Sequence, residues 1–384
     1  MNIVCLADFL PHDDELTALQ SALPLIGLSE SAAFTAFDGK PIVFSEASQL
    51  ILQPNSSAAA ILALLDTPIP FTTLCDEISP SLAGGRPELE RLLCEWSSTG
   101  MIDVFEDRQA PPSMPAATAN LPLIDASITL RAYDADSDWF DSYRHLHQTL
   151  TPKIVAKAWA WGDLGIAKLP DRPARLVPRK LLAASFRFSI VEAALDLSTG
   201  IAFHCACLVV ANRAILLMGP PGAGKSTLAM FASQHGLRLG GDDIALFNTQ
   251  SGEVMPMALP LTLKRGSWPM IDGTTWDELH PKPELRQDGE IVYYLPLQDP
   301  QHAKPMKISA LIQLDRSGAS AHLSPWSKID CLRHLCSEAK SHSGKASASD
   351  VAAMITTVER AETLRLSYRE AAEAGQLLGQ QFAT

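Results

Sequence analysis

The stretch Ala214-Ile-Leu-Leu-Met-Gly-Pro-Pro-Gly-Ala-Gly-Lys-Ser-Thr-Leu-Ala-Met-Phe-Ala-Ser233 decides how this chain is read. Ala214 to Met218 is an apolar run of strand length, and Thr227 to Ser233, with Leu228, Ala229 and Phe231, continues as a helix. Between them Gly219, Pro220, Pro221, Gly222, Ala223, Gly224, Lys225 and Ser226 fit the pattern G-x-x-x-x-G-K-[ST]. Gly222 and Gly224 allow the backbone to wrap its amides around phosphate oxygens. The helix N-terminus, opening at Ser226 and Thr227, adds partial positive charge at the same place. Lys225 can reach the β- and γ-phosphates, and the Ser226 hydroxyl can ligate Mg²⁺. A strand, a glycine loop and a helix in this order predict an α/β fold that binds a nucleoside triphosphate, ATP with Mg²⁺.

Downstream comes Gly236-Leu-Arg-Leu-Gly-Gly-Asp-Asp243. A strand at 237–239 would deliver Asp242 and Asp243 to a loop beside the phosphates. Adjacent carboxylates repel, and they stay ionised most easily beside a metal ion or another cation. One can hold Mg²⁺ while the other takes a proton from an attacking hydroxyl. Upstream, 201–218 is the most apolar stretch, but His204, Asn212 and Arg213 interrupt it. It reads as two buried strands joined by a turn at Ala211-Asn212-Arg213 and not as a membrane span. Ile308-Ser-Ala-Leu-Ile-Gln-Leu-Asp315 is a further buried strand whose final acid is either a cap or a second metal-side carboxylate. Residues 327–340 and 348–380 read as helices, the last packing on the sheet or on a neighbouring subunit of a homo-oligomer.

The composition is that of a globular chain, 47% hydrophobic and 19% charged. A formal net charge of -12 repels polyphosphate at long range, which argues against a broad nucleic-acid surface. Any phosphate site must then be built locally. The seven cysteines form no disulfide framework, and Cys205-x-Cys207 lacks the second pair that a zinc site needs. They read as small buried hydrophobes of a reduced, cytoplasmic protein. The N-terminus, MNIVCLADFLPHDDE, turns acidic within its first fifteen residues and carries no secretory signal.

Residues 107–120, DRQAPPSMPAATAN, form the clearest linker and divide an N-terminal unit, 1–106, from a C-terminal one, 121–384. In the first unit Pro41 to Phe44 and Ser48 to Leu52 read as strands, and Asn55-Ser-Ser caps a helix through AAAILALLD. Two more helices follow, near 71–78 and over 87–98, before Gly100 and a closing strand from Met101 to Phe105. Strands, three short helices and a closing strand suggest a small α+β winged-helix module. In the second unit Ile124 to Tyr133 alternates like a strand, and 182–197 is a helix. The basic run holding Lys168, Arg172, Arg175, Arg179 and Lys180 reads as a solvated, proline-broken loop, or else as a flap over an acidic substrate.

These residues carry two resemblances. The segment 203–247, with His204, the glycine loop, and Asp242-Asp243, is similar to the core of HPr kinase/phosphatase and the HprK-related kinases. Met257-Ala-Leu-Pro-Leu-Thr-Leu-Lys264 resembles a later strand of the same kinases. That resemblance implies an ATP-dependent kinase acting on a Ser or Thr hydroxyl. It makes Asp242 the catalytic base, Asp243 a metal-side carboxylate beside Ser226, and His204 the residue that orients the pair. It also lets Lys264 contact a phosphate or the substrate, or lie at the surface. Pro221 and Thr227 depart from the Ser and Glu of HPr kinase/phosphatase itself, so neither its phosphatase half-reaction nor HPr as substrate carries over. The N-terminal segment, from Leu52 through Ile102, resembles the PqqD-like peptide-recognition domains. Its fold implies docking of a peptide as an added strand. Together they imply a kinase for a peptide or small protein, with a small-molecule kinase and a nucleotide-driven peptide scaffold as the competing functions.

Overall fold

Arg213–Met218 is buried from Ala214 onward, and its side chains alternate between two apolar clusters. Ala214, Leu216 and Met218 join one cluster; Ile215 and Leu217 join the other. Burial on both faces is why the stretch is continuously apolar and does not alternate with polar residues. Each leucine so enclosed contributes roughly 1.5–3 kcal/mol.

The computed structural model describes residues 25–105, 114–124, 126–133, 138–146, 153–198, 200–270, 282–297, 304–341, 344 and 346–383. The N-terminal fifteen residues and the linker residues 107–113 lie outside this set. The chain is a mixed α/β protein with several sheets. It divides into two compact units. One comprises Met1–Ala116, Ala132–Ala135 and Lys157–Leu182; the other comprises Ala117–Arg131, Asp136–Ala156 and Ala183–Thr384. Among the described residues no helix is long and apolar enough to cross a membrane.

In the larger unit nine strands form one sheet: β1 (Ile201–His204), β2 (Ala206–Val210), β3 (Arg213–Met218), β4 (Arg238–Gly241), β5 (Ile244–Asn248), β6 (Glu253–Pro256), β7 (Met306–Asp315), β8 (His322–Pro325) and β9 (Glu362–Ser367). The main order is β1-β5-β6-β7-β3-β2-β4, with β9 on the edge of β7 and β8 beyond it. β3, β7 and β9 are parallel; the remaining pairs are antiparallel. Five helices belong here among the described residues: α1 (Leu182–Leu197), α2 (Lys225–Ser233), α3 (Lys328–Glu338), α4 (Ala348–Arg360) and α5 (Ala371–Phe382). Residues of α3 and α4 cover one face of the sheet through Leu335, Met354 and Val358. Residues of α2 and α5 cover the other through Leu228, Ala232, Ala374 and Leu378.

Three sequence expectations change in this unit. The stretch 201–218 holds three strands and not two, because β1 leaves its neighbours and pairs with β5. The turn after β2 is tighter than expected. Ala211 and Asn212 take φ of 46° and 60°, as a two-residue hairpin demands, and Arg213 already starts β3. The C-terminal stretch is α4, β9 and α5, not one helix. Glu362–Ser367 pairs in parallel with β7 and buries Thr363, Leu364, Leu366 and Ser367, so tertiary pairing overrides local helical composition.

In the smaller unit Leu25–Leu28 pairs with Ile69–Pro70 and Ile102–Phe105, while Ala32–Phe37, Lys40–Ser45 and Leu50–Leu52 form a second small sheet. Asn55 caps the helix Ser56–Leu64 by accepting a bond from the Ala58 amide at 2.9 Å. The helix Gly85–Ser98 supplies Leu89, Leu93 and Trp96 to the core. Only 169–174 of the basic stretch is a loop: around it Leu164–Lys168 and Arg175–Pro178 pair as an antiparallel hairpin whose Leu164, Ile166 and Leu176 enter that same core. Lys168 Nζ lies 2.8 Å from an Asp103 carboxylate oxygen. Ser97 Oγ accepts from the Leu176 amide and donates to the Ala174 carbonyl, at 2.8 and 2.6 Å.

α5 crosses α2 on glycine. A Cβ at Gly375 would lie 2.8 Å from Phe231 Cβ, and one at Gly379 would lie 2.5 Å from both His235 Cβ and the His235 carbonyl oxygen. Gly379→Ala is therefore expected to destabilise the protein by about 1–3 kcal/mol, as overpacked contacts do. Gly266→Ala, which meets nothing within 4 Å, should stay within about 0.5 kcal/mol of wild type. Urea unfolding followed by circular dichroism measures both, and equal midpoints would show that the helices separate freely.

Candidate functional site

The loop after β3 takes positive φ at three glycines: 156° at Gly219, 83° at Gly222 and 87° at Gly224. Any other residue would be strained there. Gly224 is also the N-cap of α2, and a Cβ on it would lie 3.1 Å from the Tyr368 hydroxyl. That hydroxyl donates to the Ala223 carbonyl at 3.0 Å and holds the loop's crown. Lys225 is 7% exposed, and its ammonium donates to the Gly219 carbonyl at 2.7 Å, with the Pro220 carbonyl at 3.4 Å. Burial lowers its pKa, although nearby acidic groups pull the other way. Thr227 lies against Ser267, hydroxyl to hydroxyl at 2.5 Å.

The two acids occupy different worlds. Asp242 is 2% exposed. Ser226 Oγ donates to its carboxylate, 2.9 and 3.0 Å from the two oxygens, and the Thr262 amide donates at 3.0 Å. Burial, then the charge of Asp243, pushes Asp242 up to about 6 against these hydrogen bonds and the field of Arg187. Asp243 has a side chain 42% exposed and a left-handed φ of 80°. Its Oδ1 is 3.6 Å from His204 Nε2, and its Oδ2 is 3.5 Å from Arg187 Nη2. Burial alone would raise its pKa, but the charges of Arg187, His204 and Arg286 outweigh that and hold it below the ordinary value. His204 ends β1 opposite Ile244, the residue after Asp243, so strand pairing places the imidazole beside the acid. Burial first, then Lys225, lowers the His204 pKa.

The structure thus brings Lys225, Ser226, Asp242, Asp243 and His204 together, but the Ser226 hydroxyl meets Asp242 and not the Asp243 expected to share a metal with it. Lys264 pairs with Glu290 at 2.5 Å, both side chains nearly half exposed. Asp315 turns back on its own chain, accepting from the Ser317 amide at 3.0 Å. Cys205 and Cys207 are free and buried in the core. No group of three or more His, Cys, Asp or Glu among the described residues is placed to hold a metal by itself.

Arg187 was invisible as a site residue, lying within an unremarkable helix. The available signal was a lone cation on a buried helical face, three residues before Ile190 and four after Ala183. Its side chain is 7% exposed, donates from Nη1 to the Pro260 carbonyl at 2.9 Å, and lies 5.3 Å from the Tyr294 ring centre.

No protein-family model matches this sequence, and no curated protein matches it. Among solved structures, the HPr(Ser) kinase/phosphatase from Coxiella burnetii is 10% identical, with 47% of this chain and 86% of that one covered, at a TM-score of 0.23. At that TM-score the likeness assigns no activity to this chain.

The raised Asp242 has a consequence for stability. The folded state holds a proton on it that the unfolded chain releases near the ordinary value of 3.8, so its contribution falls as pH rises to about 6. Asp242→Asn, free of nucleotide and metal, should be more stable than wild type by about 1–3 kcal/mol at pH 7.5. That advantage should disappear below about pH 4. Urea titrations in chelator across this range test it; a mutant less stable at pH 7.5 would mean that the lost Ser226 and Thr262 contacts dominate.

Proposed function

We propose that this chain is a Mg²⁺-ATP-dependent phosphotransferase that delivers the γ-phosphoryl group to a hydroxyl. The observation that carries this reading is the division of labour between adjacent acids. Asp242 is dry and bonded to the loop's Ser226; Asp243 is half exposed beside His204. The loop's amides and the start of α2 suit the phosphates. Ser226 and Asp242 offer a hydroxyl and a carboxylate to Mg²⁺, which usually takes only one or two protein oxygens beside substrate phosphates. When bound, that ion would neutralise charge developing on the phosphates. Lys225, freed from the Gly219 carbonyl, would turn to the phosphate oxygens. In this reading the two acids exchange the roles expected from the resemblance. Asp243 is the base and Asp242 stands on the metal side.

The step balances simply. The acceptor oxygen bonds to the γ-phosphorus, the bond to the β–γ bridging oxygen breaks, and the electron pair leaves with ADP. The acceptor's proton passes to Asp243, with His204 Nε2 at 3.6 Å fixing the carboxylate.

For the acceptor we propose a peptide or small protein. Within the smaller unit the strand Leu50–Leu52 pairs only with Lys40–Ser45 among the described strands, leaving an edge with Leu50 and Ile51 exposed. Such an edge suits a peptide added as a strand. This extends the resemblance to PqqD-like domains.

Incubation with γ-labelled ATP and a cell extract, followed by separation of proteins, metabolites and free phosphate, tests the assignment. Label on a peptide supports the whole reading, and label on a metabolite moves the acceptor to a small molecule. Label on phosphate alone favours a nucleotide-driven scaffold. Lys225→Ala should abolish transfer and weaken ATP binding. Asp243→Asn should keep ATP affinity while transfer drops about 10²- to 10⁴-fold. Asp242→Asn should instead raise the Mg²⁺ concentration needed for half-maximal rate. The opposite pattern would restore Asp242 as the base.

A further inference from the structure

We infer that Arg187 is a positioning residue for phosphoryl transfer, holding the Asp243 carboxylate in place on the acceptor side of the loop. This rests on the reading of Asp243 as the base. Four partners converge on the guanidinium: Asp243 Oδ2 at 3.5 Å, the Pro260 carbonyl at 2.9 Å, the face of Tyr294 at 5.3 Å and the hydrogen-bonded Tyr143 side chain. Two residues after Pro260, the Thr262 amide bonds Asp242. One short backbone segment, 260–262, therefore registers both acids, Asp242 directly and Asp243 through Arg187. The spacing between the acids is set by this segment as well as by their own peptide bond.

A purely structural role accounts for less. A buried carbonyl and the buried Tyr143 hydroxyl need only a neutral donor, and a guanidinium is costly to bury without a charged partner. Among the described residues the one carboxylate ion-paired to Arg187 belongs to Asp243, which holds a left-handed φ and stays half exposed. The turn between β4 and β5 needs the left-handed backbone at position 243 but does not need its half-exposed carboxylate held. A transfer reaction gains an aligned proton acceptor.

The test uses the full chain as Arg187→Met, Arg187→Lys, Asp243→Asn and the double variant Arg187→Met/Asp243→Asn. Mg²⁺-ATP affinity is read by calorimetry, and turnover is read as γ-phosphate released to water at saturating ATP. Arg187→Met should bind Mg²⁺-ATP within about threefold of wild type while its rate falls about 10²-fold, the mark of a group acting on the chemical step. Arg187→Lys, which restores a cation, should recover about tenfold of that loss. The double variant should be within about threefold of Asp243→Asn alone, because residues acting as one unit are not additive. A double variant slower than Asp243→Asn by the whole Arg187→Met factor overturns the inference. So does an Arg187→Met whose affinity falls as far as its rate with no rescue by lysine. If Arg187→Met does not fold, Arg187→Lys carries the cycle: it should slow the wild-type background and be neutral in the Asp243→Asn background. Wild-type protein without turnover, or Asp243→Asn as fast as wild type, overturns the underlying assignment of the base and this inference with it.

Discussion

The buried carboxylate of Asp242 ties the larger unit's working parts together. An ionised acid shut away from water is costly unless hydrogen bonds replace its hydration. Here the replacements come from Ser226 at the start of α2 and from the Thr262 amide. Asp242 itself follows β4, so one side chain connects the glycine loop, the acid turn and the segment 257–262. None of these three pieces can shift alone without leaving a polar group unpaired in the interior. Against burial and the charge of Asp243 these bonds are not enough, and the proton affinity of Asp242 stays raised. That residue of unfavourable energy is what a cation arriving at Ser226 and Asp242 would relieve.

Much of this was legible in the sequence because the signals were local. The glycine loop needs residue types whose backbone chemistry is unique, and Gly222 and Gly224 sit at the left-handed positions. β3 and α2 flank it because apolar runs of the right length have few other uses. The pair Asp242-Asp243 was visible for the same reason. What could not be read was which carboxylate faces which partner. That depends on the φ of one residue and on a hydroxyl sixteen positions upstream. Arg187 was illegible because its partners lie 56 and 73 residues away. The same limit explains β9, whose strand character comes from β7 and not from its own residues. It explains the hairpin 164–178 as well. A basic, proline-broken stretch looks solvated until Asp103 and Ser97 are seen to receive it.

The backbone at Asp243 shows how two neighbouring acids are given separate surroundings. Successive residues of a strand point to opposite faces, so an ordinary Asp-Asp pair would be split across the sheet. Here β4 stops at Gly241 and β5 starts at Ile244, and the left-handed Asp243 turns the chain between them. Both carboxylates therefore stay at the loop end of the sheet, one turned inward to Ser226 and the other outward to His204 and Arg187. Gly241 permits the approach, since a Cβ there would lie 2.3 Å from the Met257 carbonyl oxygen. A left-handed non-glycine residue costs about 1 kcal/mol or more, and aspartate and asparagine bear it best among residues with side chains. Conformation and chemistry thus select the same residue type at position 243. An asparagine there removes charge while keeping the turn, whereas an alanine removes both. The difference between those two substitutions separates what Asp243 does for the backbone from what its charge does beside His204 and Arg187.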